Sequence, residues 1–101
     1  MDVTVYGLPW GEFAESLKAQ TLKTPFLVRE FDPAGKAQWY LYAVSPRTLV
    51  QVLTFTRKAR FWRTVDGALS DLERELGHLP AMTVYGSVEQ VMPEHYGAAM
   101  T

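Results

Sequence analysis

A chain of 101 residues, 48% hydrophobic and 13% aromatic, has the length of one domain and enough apolar surface for a core, which excludes a disordered segment. Cysteine is absent, which removes disulfides, thiolate catalysis and thiolate-held zinc. A net charge of −1 argues against a general polyanion binder, no apolar run approaches the ~20 residues of a membrane span, and the opening MDVTVYG lacks a signal-peptide core, so the expectation is a cytoplasmic protein without a membrane partner.

The first element, DVTVYG, alternates Val3 and Val5 with polar neighbours and reads as a short strand closed by Gly7. A helix over Pro9–Thr21 follows. Pro9 suits its first turn, and Trp10, Phe13, Ala14, Leu17 and Thr21 fall on one face. Next come two apolar arms, Phe26–Phe31 and Ala37–Val44, around DPAGK. Asp32 and Pro33 favour a type I turn there, and Gly35 supplies a positive φ. Ser45-Pro46 breaks the second arm. Leu49–Thr56 is strand-like again, RKAR turns it, and RFWR returns.

Thr64 is a good N-cap for a helix over Val65–Leu76, with Val65, Ala68, Leu69, Leu72 and Leu76 at helical spacing and Gly77 as the terminating glycine. AMTVYG then repeats the tetrapeptide TVYG of Thr4–Gly7 at Thr83–Gly86. The flanking sequences do not match, so we read two similar strand ends rather than a duplication. Ser87 with Gln90 forms a capping-box pattern for a last helix that Pro93 cuts short. The expected fold is α+β: a three- to four-stranded antiparallel meander with two main helices on one face.

Charge is distributed unevenly. Between Pro33 and Arg63 there is no acid, while Lys36, Arg47, Arg57, Lys58, Arg60 and Arg63 are cations; from Thr64 onward Arg74 alone faces six acids. The densest stretch, TRKARFWRT, holds four cations and two large aromatics. A turn centred on Lys58-Ala59 pairs Arg57 with Arg60 and Phe55 with Trp62, and a turn at Ser45–Thr48 pairs Tyr42 with Gln51. Opposed residues share a face. One face then carries Tyr40, Tyr42, Gln51, Leu53, Phe55 and Trp62 with Arg57 and Arg60 at its rim. The other carries Trp39, Leu41, Ala43, Val50, Val52 and Phe61, and takes the helices.

An open aromatic face with Arg47, Arg57, Lys58, Arg60 and Arg63 beside it has the parts of a single-strand nucleic-acid platform: rings for bases, guanidinium groups for phosphates. The competing readings are a plain core covered by protein and a protein–protein surface, as in a homodimer or an inhibitor docking on an acidic protein surface. The helix acids Asp66, Asp71, Glu73 and Glu75 read as a solvated face. His78 and His95 lack metal-ligand spacing, and there is no nucleophile elbow, P-loop or dinucleotide fingerprint. The expectation is therefore a non-catalytic protein without metal or cofactor, with a small enzyme as the least favoured reading. The segment RFWRTVDGALSDLERELG, Arg60 to Gly77, resembles the strand-then-helix ending of many small proteins carried on plasmids and phages. The resemblance covers 18 of 101 residues, implies a mobile-element accessory or regulatory role, and transfers no site residues.

Overall fold

The computed structural model describes residues 5–46 and 48–86. Along the chain these form β1 (Val5–Pro9), α1 (Trp10–Lys18), β2 (Lys23–Phe31), β3 (Ala37–Val44), β4 (Leu49–Leu53), β5 (Phe61–Trp62), α2 (Val65–Leu76) and β6 (Thr83–Tyr85). Arg47, the Ser87–Gln90 cap, the helix expected after it and His95 lie outside the described residues.

The fold is α+β, and its centre is the expected meander. β2 pairs antiparallel with β3, and β3 with β4, with Tyr42 opposite Gln51. The all-antiparallel expectation fails at the edges. β1 lies parallel to β4 and β6 lies parallel to β2, giving a mixed sheet in the order β1-β4-β3-β2-β6 with β5 on β3. Val5–Gly7 of the first TVYG copy and Thr83–Tyr85 of the second thus lie at the two opposite edges, and Val3 and Thr4 lie outside the described residues. Parallel neighbours are joined by long crossovers rather than tight turns, so no local turn signal announces them.

α2 forms where its caps require. Thr64 Oγ1 accepts the Gly67 N–H at 3.0 Å, and Gly77 at φ 81° donates its N–H to the Glu73 carbonyl at 2.8 Å. Thr64→Ala is expected to cost about 1 kcal/mol, read as a lower urea midpoint at unchanged slope. α1 is shorter than Pro9–Thr21. Pro9 ends β1 and stands just before the first helical turn. At the other end the Gln20 N–H bonds the Leu17 carbonyl and the Thr21 N–H the Ser16 carbonyl, a Schellman motif with Gln20 at φ 62°.

Both helices cover the sheet face bearing Leu27, Leu41, Ala43, Val50 and Val52, where Phe13, Ala68 and Leu72 complete the main core. The opposite face holds a second core of Phe26, Val28, Tyr42, Leu49 and Tyr85, none more than 7% exposed. Phe26 stacks on Tyr42 with ring centres 5.5 Å apart and meets Tyr85 edge-on at the same distance.

Candidate nucleic-acid interface

The β4–β5 loop decides which side chains reach the surface. Thr54 N–H bonds the Lys58 carbonyl at 2.7 Å, and Arg57 N–H bonds the Thr54 carbonyl at 2.9 Å. The turn is therefore built on Phe55-Thr56, with Arg57 in the left-handed position at φ 63°, and not on Lys58-Ala59. Thr54 Oγ1 also accepts the Lys58 N–H. Leu53 then opposes Ala59, and β5 takes the edge of β3 that β4 leaves after Gln51, with Trp39 opposite Trp62 and Tyr40 opposite Phe61.

This register exchanges the two aromatics of β5. Trp62, expected on the open face, packs beneath the helices at 8% exposure, edge-on to Trp10 at 5.7 Å, with its Nε1–H donating to Asp71 Oδ2 at 2.8 Å. Phe61, expected inside, lies on the outer face beside Tyr40 with ring centres 5.9 Å apart. A slip by an odd number of residues moves each side chain to the other side of a pleated sheet, and here the displaced turn produced one.

Arg60 follows Trp62 to the helix side. Its guanidinium lies 4.6 Å from the Trp62 ring centre and 5.3 Å from that of Trp10, and reaches Asp71 at 3.4 Å. This is a structural clamp between β5 and the helices, made of two cation–π contacts and an ion pair. Asp71, read from sequence as solvated, accepts from Trp62 and Arg60 and forms an ion pair with Arg74. Its place three residues after the buried Ala68, at the border of the apolar stripe, was the available signal.

Tyr42 is likewise not a platform residue. It is buried in the second core, its Oη accepts from Gln51 Nε2 at 3.2 Å, and burial pushes its phenol up to about 12. Tyr40 is half-buried and donates to Gln38 Oε1 at 3.0 Å; burial, then the charge of Glu30, raises its phenol too. Arg63 remains on the surface, 4.9 Å from the Phe61 ring centre and 3.1 Å from Asp32 Oδ2. Asp32 Oδ1 meanwhile accepts the Lys36 and Ala34 N–H groups. The Lys36 N–H chiefly, with Arg63 and Ala34 acting the same way against partial desolvation, holds that carboxyl below its ordinary value.

What stays at the surface is a smaller set than expected. Phe55 is fully exposed at the hairpin tip, Arg57 and Lys58 are exposed beside it, and Phe61 with Arg63 lies farther along the same connection. Among the described residues, Arg57 and Lys58 have no carboxylate partner, whereas Arg60 and Arg63 do. No group of three or more His, Asp or Glu among the described residues could hold a metal, and no described helix is long and apolar enough to cross a membrane. Comparison of the chain with family models, curated proteins and solved structures finds no match.

Proposed function

We propose that this protein is a small non-catalytic regulator that binds single-stranded nucleic acid through its β4–β5 hairpin. The observation that carries the proposal is the fully exposed Phe55 beside an arginine held at positive φ. A left-handed backbone costs a non-glycine residue about 1–2 kcal/mol, and an exposed hairpin position exerts no packing demand for arginine. Selection for the side chain explains why glycine does not stand there.

In this reading Phe55 stacks on a base, Arg57 and Lys58 hold the flanking phosphates, and Phe61 with Arg63 extends the track. The mobile-element setting suggested by the Arg60–Gly77 segment belongs to the same proposal. The rival, a homodimer joined through the aromatic sheet face, is disfavoured because Tyr42 and Trp62 are consumed within one subunit.

An oligonucleotide titration at two salt concentrations tests it. Two engaged phosphates give a slope of log K against log salt of about −1.4, from ~0.7 per phosphate on a single strand. Phe55→Ala is expected to weaken binding about 10-fold, the loss of one stacked base. Arg57→Gly separates fold from function: the fold gains about 1 kcal/mol while binding weakens and the slope shrinks by about 0.7. Wild-type protein that ignores oligonucleotides, or an Arg57→Gly variant that binds as well as wild type, would overturn the proposal. Salt-sensitive capture of an acidic protein with no oligonucleotide binding would move the hairpin to the protein–protein class.

A further inference from the structure

A second site lies away from the hairpin, where the C-terminal ends of the two helices meet the start of β2. A cleft of about 410 Å³ opens there, within the ~300–1,000 Å³ usual for small-molecule sites. Its floor is apolar, formed by Leu17, Leu22, Pro25 and Leu76. Its rim carries Lys18, Lys23 and His78, and none of its lining residues is acidic. Lys18 is partly committed to Glu15, 3.3 Å away, which leaves Lys23, the His78 imidazole and the Gln20 amide as donors, with Lys23 the uncommitted cation.

The backbone of one wall is held in a costly shape. The link from α1 into β2 contains Gln20 at φ 62° and Thr24 at φ 53°. The Schellman closure of α1 accounts for Gln20, but Thr24 is β-branched and precedes a proline, and both features oppose the left-handed region. Thr24 lies in the bulge where the pairing of β2 with β3 shifts between Lys23 and Phe26, and the bulge sets the buried Pro25 into the cleft wall. Strain of this kind persists where surrounding structure enforces it and concentrates at ligand sites.

An apolar floor beneath donors of positive or neutral charge complements a ligand with an apolar body and one anionic head. We infer that this cleft is a binding site for a small amphipathic carboxylate, its hydrocarbon on Leu17, Leu22 and Leu76 and its carboxylate accepting from Lys23 and His78. The site is separate from the hairpin and does not rest on nucleic-acid binding.

Octanoate, octylamine and octanol are the probes, each titrated into the intact chain while leucine methyl resonances are followed by NMR. Octanoate is expected to shift the methyls of Leu17, Leu22 and Leu76 saturably. Octanol should bind more weakly, and octylamine should leave those methyls unmoved. Lys23→Glu combined with His78→Glu should weaken octanoate at least about 10-fold, the loss of charge-assisted hydrogen bonds. Both positions are exposed, so the variant keeps its fold, which circular dichroism verifies. Absence of saturable shifts, equal binding of octylamine and octanoate, or unchanged affinity in the double variant would each overturn the inference.

Discussion

Trp62→Ala is expected to destabilise the fold by about 3–5 kcal/mol, a large share of the roughly 5–15 kcal/mol that holds a typical domain. The side chain is 8% exposed and packs against three partners at once: the Trp10 ring from α1, the Asp71 carboxylate from α2 and the Arg60 guanidinium from its own connection. Removing it leaves a cavity, an indole-shaped gap beside Trp10, and a carboxylate that has lost its shortest hydrogen bond. Trp62→Phe keeps most of the packing and loses the Nε1–H donor, so its cost should be smaller, about 1–3 kcal/mol. Urea unfolding followed by circular dichroism reads both. A tryptophan on an open binding surface would behave differently, since surface substitutions stay within about ±0.5 kcal/mol. A near-neutral Trp62→Ala would therefore return this residue to the surface. Because Trp62→Phe remains folded, it also separates roles: its oligonucleotide affinity should match wild type, while that of Phe55→Ala should not.

The reason Trp62 read as a surface residue is a general one in this chain. Left-handed positions were legible where glycine fills them. Gly35 at φ 82° marks the β2–β3 hairpin, and Gly77 at φ 81° ends α2, and at both the expected boundaries match the structure. Three other left-handed positions are filled by Gln20, Thr24 and Arg57. Each produced an error nearby. Gln20 stops α1 three residues before the expected Thr21. Thr24 begins β2 with an unforeseen bulge. Arg57 moves the β4–β5 turn onto Phe55-Thr56 and so reverses Phe61 and Trp62. Propensity reads these residues as ordinary helix, strand or loop formers, because none is the glycine that marks a left-handed position in a sequence.

The edges were hidden for a different reason. The antiparallel centre follows from turns, which are local; the placement of β1 beside β4 and of β6 beside β2 depends on crossovers that include α1 and α2. Face assignment succeeded for Leu41, Ala43, Val50 and Val52, whose alternation is unbroken, and the helices do cover them. Of the candidate site, the cationic hairpin was visible as composition. Which of its cations have carboxylate partners was not, since Asp32 and Asp71 approach from segments 31 and 11 residues away.

The second core makes the other large prediction, one that depends on pH. If the outer sheet face were open, Tyr42 would ionise as a free phenol. Buried, and opposed next by the charges of Glu30 and Tyr40, it holds its proton to about 12 instead of 10.0. The folded state thus favours the protonated form. The resulting stabilisation is fully present below the unfolded value of 10.0 and is lost as pH rises through about 12. A two-unit difference corresponds to about 3 kcal/mol. Tyr42→Phe has no proton to lose at that position. Near neutrality it should be less stable than wild type by about 1 kcal/mol, for want of the hydroxyl that accepts from Gln51. In strong alkali the order reverses, and the variant should be the more stable by about 2 kcal/mol, the difference of those two terms. Urea unfolding of the pair across the alkaline range checks the crossing, and the variant subtracts the titration of every other group. Two parallel curves, with a gap that never changes sign, would mean that this phenol is solvated and that the sheet offers its outer face to a partner after all.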